Sequence, residues 1–157
     1  MLTIVYIILS AVLGLFAYIC FKAANKYLKY PFQNWEKSDI PYITIDVQGH
    51  QLNMIADSGG SMCIIRKDVL NEIDYKPSTR AVEMCALTNE GLPSEIVTIP
   101  ITINEKEFDT DFIVYDLDDI GGFKYKCGVE MHGLLGVEFF KATNGIVDFN
   151  TQTVKFP

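Results

Sequence analysis

The chain has 157 residues, of which 49% are hydrophobic, and it carries a formal net charge of −7. This length is enough for one ordinary domain but too short for two full ones. The acidic balance, with 20 Asp and Glu residues against 13 Lys and Arg residues, argues against a nucleic acid partner, because such a surface repels phosphates.

The first segment, Leu2 to Cys20, is continuously apolar and contains no charged residue. A helix rises about 1.5 Å per residue, so a helix of this length matches the roughly 30 Å hydrocarbon core of a bilayer. A buried core helix would show polar residues on one face, and a cleaved signal peptide would begin with a basic segment. Neither feature is present, and we therefore expect residues 1–21 to form a transmembrane helix in contact with the bilayer.

The flanking charges predict how this helix would be oriented. No basic residue precedes it, whereas Lys22, Lys26 and Lys29 follow within residues 22–39, which we interpret as a juxtamembrane linker. Basic residues on the cytoplasmic side set the orientation of such helices. The sequence thus predicts a single-pass membrane protein whose C-terminal domain, residues 40–157, lies in the cytoplasm.

The cysteines agree with a reducing compartment. Apart from Cys20, the chain contains Cys63, Cys85 and Cys127, an odd number without a closely spaced pair, which does not suit a disulfide framework. Together with His132 these cysteines could be considered as a zinc set, but their spacing matches no short zinc motif. We expect no metal site.

From residue 40 the apolar pattern changes from continuous to alternating, with turn residues between the segments. Alternation with a period of two is typical of half-buried strands, and many short strands indicate an all-β sandwich or barrel. Two short helices are also expected, over Arg66–Ile73 and Val137–Lys141. The predicted strands are Ile40–Val47, Leu52–Ala56, Met62–Ile65, Ala81–Leu87, Ile96–Ile103, Phe108–Tyr115, Ile146–Phe149 and Thr153–Phe156.

The segment M-I-A-D-S-G-G-S-M, which begins at Met54, is the candidate for catalytic chemistry. It allows two interpretations, a nucleophilic Ser58 as in chymotrypsin-like serine proteases or a catalytic Asp57 as in aspartic proteases. A serine nucleophile needs a histidine base and a carboxylate that orients it. The only histidines are His50, at a predicted hairpin tip, and His132. Too few residues precede Ser58 for the first barrel of the chymotrypsin-like fold, and the serine interpretation is rejected.

The aspartate interpretation requires a carboxylate at the end of an apolar strand, followed by small residues that turn the chain sharply. Ala56 ends the predicted strand, and Ser58, Gly59 and Gly60 follow Asp57. The segment therefore has the outline of a strand, an acidic turn and a second strand, which favours Asp57 as the chemical group.

A second motif supports this interpretation. Leu134-Leu135-Gly136 precedes a short predicted helix with Glu138 and two aromatic residues, and the strands I-V-D-F and T-V-K-F follow. D-S-G-G and the hairpin Ala81–Ile103 come before this second motif in the chain. The order of these three elements resembles that of retropepsin-like aspartic proteases over about residues 41–157. The resemblance implies an acid-protease β-barrel that hydrolyses peptide bonds without a cofactor.

The resemblance also implies roles for the residues of the acidic turn. Asp57 matches the catalytic aspartate, and Ser58 matches the hydroxyl residue of the hydrogen-bonded grip that links two such loops. Gly59 leaves room for the substrate backbone. Gly60 departs from the family pattern, in which Ala or Ser usually stands, and this departure predicts a looser loop.

The hairpin Ala81–Ile103 occupies the position of the family's flap. Its tip contains Glu90 and has fewer glycines than many relatives, which leaves substrate preference open. The residues assigned to the flap are Leu87, Thr88, Asn89, Glu90 and Gly91.

Assembly follows from the number of aspartates. The family's mechanism uses two carboxylates that share one proton, one of which activates a water molecule. This chain supplies one such motif, so we expect a homodimer with Asp57 from each chain at the two-fold axis, acting on a peptide or protein substrate. The alternative is a retropepsin-like fold kept as a non-catalytic dimerisation or peptide-binding module, because fold does not imply function.

Overall fold

The structure, a computed structural model, describes residues 2–24, 27–34, 40–80, 82–84, 92–115 and 128–157. Its helices are α1 (Leu2–Ala24) and α2 (Val137–Thr143), with a 3-10 helix over Lys67–Asn71. The part of the chain after residue 40 is mostly β. The strands are β1 (Leu28–Pro31), β2 (Tyr42–Val47), β3 (His50–Ala56), β4 (Cys63–Arg66), β5 (Lys76–Pro77), β6 (Val82–Met84), β7 (Leu92–Ser94), β8 (Ile96–Ile103), β9 (Lys106–Tyr115), β10 (Gly133–Leu135), β11 (Ile146–Asp148) and β12 (Thr153–Phe156).

The apolar N-terminal segment is helical, as its composition predicts, and α1 extends to Ala24. Among the residues that the structure describes, however, no helix is both long and apolar enough to cross a membrane. The prediction of a transmembrane helix over residues 1–21 is therefore wrong, and the predicted bilayer contact, single-pass location and orientation lose their basis with it.

The main sheet has seven strands in the order β2-β3-β10-β4-β9-β8-β5. β10 lies between β3 and β4, parallel to the former and antiparallel to the latter, and β4 runs parallel to β9. Successive side chains of a strand point to opposite faces, so the alternation of apolar residues determines which face is buried. In β8, for example, Val97, Ile99, Ile101 and Ile103 are all buried on one face.

Two local predictions differ from the structure. His50 is not at a hairpin tip but is the first residue of β3, paired with Val47. The turn consists of Gln48 and Gly49, both with positive φ, which is the backbone geometry of tight hairpin turns. The helix expected over Arg66–Ile73 is the shorter 3-10 helix Lys67–Asn71.

A separate three-stranded sheet has the order β1-β12-β11. β1 lies within the segment predicted to be a linker, and Tyr30 pairs with Val154 across β1 and β12. The rings of Tyr30 and Phe156 pack in an edge-to-face arrangement, with their centres 5.6 Å apart. Burial of these aromatic groups gives the segment a fixed place in the domain, which its sequence position beside α1 did not indicate.

The hydrophobic core joins the two sheets to α2. Phe139 of α2 and Phe156 of β12 are fully buried, with their rings 5.9 Å apart in an edge-to-face arrangement. Leu135 of β10 and Phe112 of β9 belong to the same cluster. The face of α2 that carries Phe139, Phe140 and Thr143 is therefore packed on the core.

The hairpin β6–β7 forms a two-stranded sheet of its own, with Val82 opposite Ser94 and Met84 opposite Leu92. Leu92 and Pro93, which lie between the predicted strands Ala81–Leu87 and Ile96–Ile103, belong to β7. The assigned flap tip, Leu87 to Gly91, lies outside the described residues.

Candidate active site

Asp57 directly follows the last residue of β3, where that strand runs beside β10. Ala56 is paired with Leu135 in the parallel ladder, and the N–H of Asp57 donates to the carbonyl oxygen of Leu135 at 3.0 Å. The last three residues of β3, Met54, Ile55 and Ala56, are apolar and buried, so both faces of the strand are covered at this end. Asp57 is therefore the first polar side chain at the end of a buried strand.

The turn after Asp57 orients its carboxylate. The N–H of Gly59 donates to Oδ1 of Asp57 at 2.8 Å, a local bond typical of Asx turns. A Cβ atom at position 60 would lie 2.8 Å from Oδ2 of Asp57. Glycine at this position thus leaves room for the carboxylate, which is half-buried beside the exposed Ser58 and Gly59.

The start of α2 holds the other side of this turn. The N–H groups of Val137 and Glu138 donate to the carbonyl oxygens of Gly60 and Ser61 at 2.8 and 3.0 Å. These N–H groups belong to the first turn of the helix and have no partner within it. The free donors of α2 therefore stabilise the loop that carries Asp57.

Gly136 makes this close approach possible. A Cβ atom at this position would lie 2.2 Å from the carbonyl oxygen of Met62 and 2.9 Å from that of Gly60. The N–H of Gly136 donates to Sγ of the buried Cys63 at 3.3 Å. Burial is the main reason that the pKa of the Cys63 thiol is raised to about 12. This thiol is thus a neutral packing group beneath the loop.

The contacts of the two histidines lie away from Ser58. His50 Nδ1 lies 3.4 Å from a carboxylate oxygen of Glu72. His132 Nδ1 accepts the N–H of Asn53 at 2.9 Å, and burial is the first cause that lowers the pKa of its imidazole. Neither ring is arranged as a base for the Ser58 hydroxyl, which agrees with the rejection of a serine nucleophile.

The Ser58 hydroxyl makes no hydrogen bond within the part of the chain that the structure describes. It lines an open pocket of about 570 Å³ together with Val137, Phe140 and Val147. The pocket is bounded by α2 and by β11, a strand at the edge of the three-stranded sheet. An unpaired hydroxyl beside an apolar surface is thus adjacent to Asp57.

A charged cluster lies on the other side of α2. The guanidinium of Arg80 binds both carboxylate oxygens of Glu138, at 2.9 and 3.2 Å, and reaches Asp111 of β9 at 3.3 Å. Hydrogen bonding to Arg80 is the main cause that lowers the pKa of the Glu138 carboxyl. No sequence motif signalled Arg80 or Asp111, because each is one of many charged residues until the fold places them together.

The sequence-predicted site is thus only partly within the described residues. Asp57, Ser58, Gly59 and Gly60 lie in one loop, whereas the assigned flap tip lies outside the described ranges. Among the described residues, no group of three or more His, Cys, Asp or Glu side chains could hold a metal ion. Cys85 and Cys127, which entered the zinc alternative, are not described.

No protein-family model matches the chain, and no curated protein matches it. Solved structures to which it is similar include a retropepsin-like aspartic protease, a retroviral protease-like domain and the EIAV protease. A retropepsin-like aspartic protease from Rickettsia conorii is 17% identical, with a TM-score of 0.49 and coverage of 83% of this chain and 87% of the other. The retroviral protease-like domain of Ddi1 from Leishmania major is 13% identical, with a TM-score of 0.47 and coverage of 74% and 87%.

The EIAV protease in complex with the inhibitor HBY-793 is 14% identical, with a TM-score of 0.45 and coverage of 69% of this chain and 90% of the other. The retropepsin-like resemblance noted in the sequence reappears among these structures. With identities of 13–17% and TM-scores below 0.5, these likenesses support no conclusion about activity.

Proposed function

We propose that the chain is an aspartic endopeptidase that acts as a homodimer, in which Asp57 of each chain contributes one of two catalytic carboxylates. The observation that carries the proposal is the position of Asp57. Its carboxylate stands at the end of a buried strand, is oriented by the Gly59 N–H at 2.8 Å, and lies in a loop held by α2. Preorganisation of this kind is what acid–base chemistry on a bound water requires.

The mechanism needs a second carboxylate. In a two-fold dimer the two Asp57 side chains share one proton, because two close carboxylates do not both ionise. The ionised carboxylate accepts a proton from water as the water oxygen attacks the peptide carbonyl. The protonated carboxyl donates a hydrogen bond to the developing oxyanion, and proton transfer to the leaving nitrogen completes the cleavage.

The surface beside Asp57 suits a second copy of the chain. The Ser58 hydroxyl lacks a partner among the described residues, and the pocket next to it has apolar walls from Val137 and Val147. The adjoining strand β11 is an edge strand, and Ile146 on it is 47% exposed. Edge strands offer unpaired main-chain groups, and two such edges can pair across a two-fold axis.

The decisive variant is Asp57→Asn in the full chain, assayed with a diverse peptide pool between pH 4 and pH 7. We expect hydrolysis to fall at least about 100-fold, because the variant cannot act as a base, while the unfolding midpoint and the dimer mass are retained. Asp74→Asn is the matched control, since Asp74 is an exposed acid outside the site. Retained hydrolysis in Asp57→Asn would exclude Asp57 from the mechanism.

Mixed dimers test the shared site. When equal amounts of wild-type and Asp57→Asn chains are refolded together, random pairing leaves about one quarter of the dimers with two Asp57 residues. We expect about one quarter of the wild-type activity at the same total concentration. An activity of about one half of the wild type would indicate that each chain acts alone. If no wild-type sample produces new peptide termini, the alternative of a non-catalytic dimerisation or peptide-binding module is favoured.

A further inference from the structure

His132 is a half-buried titratable side chain that the chemistry proposed for Asp57 does not use. It directly precedes β10, the strand that lies between β3 and β4 in the main sheet. The chain contains one other histidine, His50, at the far end of β3. A change in the charge of His132 therefore acts where β10 enters the sheet.

His132 binds Asn53 of β3 through two hydrogen bonds. Its main-chain N–H donates to the carbonyl oxygen of Asn53, and its ring Nδ1 accepts the main-chain N–H of Asn53, both at 2.9 Å. The parallel ladder between the two strands starts one residue later, where Gly133 is paired with Met54. The imidazole thus provides the acceptor for a strand N–H at the beginning of the contact between β3 and β10.

The hydrogen bond to Nδ1 requires a neutral ring. In a neutral imidazole one nitrogen carries a proton and the other accepts, whereas both nitrogens of the charged ring are donors. Because Nδ1 accepts from Asn53, the proton of the neutral ring must be on Nε2. A second proton on Nδ1 would place two N–H groups against each other and would leave the Asn53 N–H without this acceptor, which is costly at a partly buried site.

A fixed positive charge lies beside the same segment. The main-chain N–H of Arg66, the last residue of β4, donates to the carbonyl oxygen of His132 at 2.9 Å. The Arg66 guanidinium donates to the carbonyl oxygen of Met131 at 3.1 Å, and the side chain is only 11% exposed. This cation therefore cannot move away into water when the ring of His132 takes up a proton.

The charges around the ring give its titration a direction. They come from Arg66 of β4, Asp68 of the 3-10 helix, Glu72 directly after that helix and Glu130 of the segment before β10. Burial, followed by Arg66, lowers the pKa of the imidazole, and the three carboxylates offset this effect only in part. The unfolded chain, in which a histidine has a pKa of about 6.5, therefore binds the proton more readily than the folded chain does.

The sign of the pH dependence follows from this difference. Stability rises with pH wherever the unfolded state binds more protons than the folded state. The contribution of the neutral ring is thus complete above about pH 6.5 and is lost as the pH falls through the lowered pKa of the folded state.

β10 connects this ring to the loop of Asp57. The carbonyl oxygen of Leu135, at the end of β10, accepts the N–H of Asp57 at 3.0 Å. We propose that His132 is a pH-sensitive switch, in which the neutral ring fastens the start of β10 to β3 and its protonation releases this end of β10 and weakens the support of the Asp57 loop. The switch does not require the chain to be a protease, and only its consequence for catalysis, a lower pH limit for the site, rests on the proposed function.

Amide hydrogen exchange of the full chain at pH 7.5 and pH 5, corrected for the intrinsic pH dependence of exchange, tests the switch without a substrate. We expect the protection of Asn53, Asp57 and residues 133–135 to fall about tenfold at pH 5, a change of the size that one lost hydrogen bond gives. The protection of β8, farther along the same sheet, should fall less. An equal fall in β8 would mean that acid weakens the whole fold without releasing β10, and would overturn the proposal.

His132→Asn is the matched variant, because its Oδ1 can occupy the place of Nδ1 and accepts a hydrogen bond at any pH. It should retain the protection of Asn53 at pH 5. His50→Asn, which alters the other histidine, is the control and should lose this protection as the wild type does. A loss in His132→Asn equal to that of the wild type would assign the effect to another group and overturn the proposal.

Nuclear magnetic resonance of the wild type provides a second measurement that needs no variant. The ring signals of His132 report its protonation, and the amide proton of Asn53 should shift with the same apparent pKa, because the two groups share one hydrogen bond. An Asn53 signal that stays constant while the ring titrates would overturn the proposal. A ring that remains neutral at pH 5 would do the same, whether or not the chain is a protease.

Discussion

The main-chain N–H of Val137 donates to the carbonyl oxygen of Gly60 at 2.8 Å, which joins the first turn of α2 to the loop of Asp57. This contact requires Gly136, where a Cβ atom would lie 2.2 Å from the carbonyl oxygen of Met62. The neighbouring atom is backbone and cannot rotate away.

Replacement of Gly136 by Ala should therefore separate α2 from the loop. We expect Gly136→Ala to lower the free energy of unfolding by about 2–3 kcal/mol, in the range of overpacked sites, as measured by urea denaturation. Gly14→Ala is the control, because a Cβ atom at Gly14 would meet nothing within 4 Å. Equal unfolding midpoints for Gly136→Ala and the wild type would contradict the close approach.

Removal of the Ser58 hydroxyl should affect association and not the fold of one chain. Because this hydroxyl makes no hydrogen bond within the described residues, Ser58→Ala should change the free energy of unfolding of the monomer by less than about 0.5 kcal/mol. If the hydroxyl bonds across the dimer, its loss should raise the dimer Kd about tenfold. Sedimentation equilibrium measures the Kd, and Ser61→Ala, at an exposed serine in the same loop, is the control.

Cys63 should resist thiol reagents in the native protein. It is buried, and its pKa is raised to about 12 mainly by that burial, so almost no reactive thiolate exists at pH 8. We expect iodoacetamide to modify the exposed Cys20 at least about 100 times faster than Cys63, as read by mass spectrometry of the separate peptides. Comparable rates at the two cysteines in folded protein would contradict the burial of Cys63.

Acid should weaken the pair of Arg66 and Asp68. The guanidinium of Arg66 contacts both carboxylate oxygens of Asp68, at 2.5 and 2.6 Å, and this hydrogen bonding is the main cause that lowers the pKa of the Asp68 carboxyl. A carboxyl with a lowered pKa in the folded state contributes stability above its unfolded pKa, about 3.9 for Asp. That contribution is lost progressively as the pH falls from this value through the lowered pKa of the folded state.

Asp68→Asn should therefore have a lower urea midpoint than the wild type at pH 6, and the difference should become smaller at pH 3. Asp74→Asn is the control and should show no such convergence, since Asp74 forms no ion pair among the described residues. A difference between Asp68→Asn and the wild type that is the same at both pH values would show that the ion pair does not contribute.

Several elements could be predicted from the sequence because local patterns determine them. The strands Ile96–Ile103 and Thr153–Phe156 have the predicted bounds, since alternation of apolar residues specifies both the strand and its buried face. The turn after Ala56 was also predictable, because small residues after an apolar strand bend the chain at once.

Other predictions failed where one sequence pattern is compatible with two structures. The apolar segment from Leu2 to Cys20 is helical as expected, but the prediction that this helix spans a membrane was wrong. Composition between residues 22 and 39 suggested a linker, yet β1 pairs there with β12. Whether such a segment forms a strand depends on a partner strand far along the chain, and no local pattern specifies that partner.

The sequence alone determined that an aspartate follows a buried strand and is turned by glycines, because these properties depend on neighbouring residues. Only the tertiary structure decided what surrounds that aspartate. The insertion of β10 between β3 and β4 brings Gly136 to Cys63, 73 positions away in the chain, and the packing of α2 brings Glu138 to Arg80. Such contacts form because distant segments bury their apolar faces together, and that burial is a property of the whole fold.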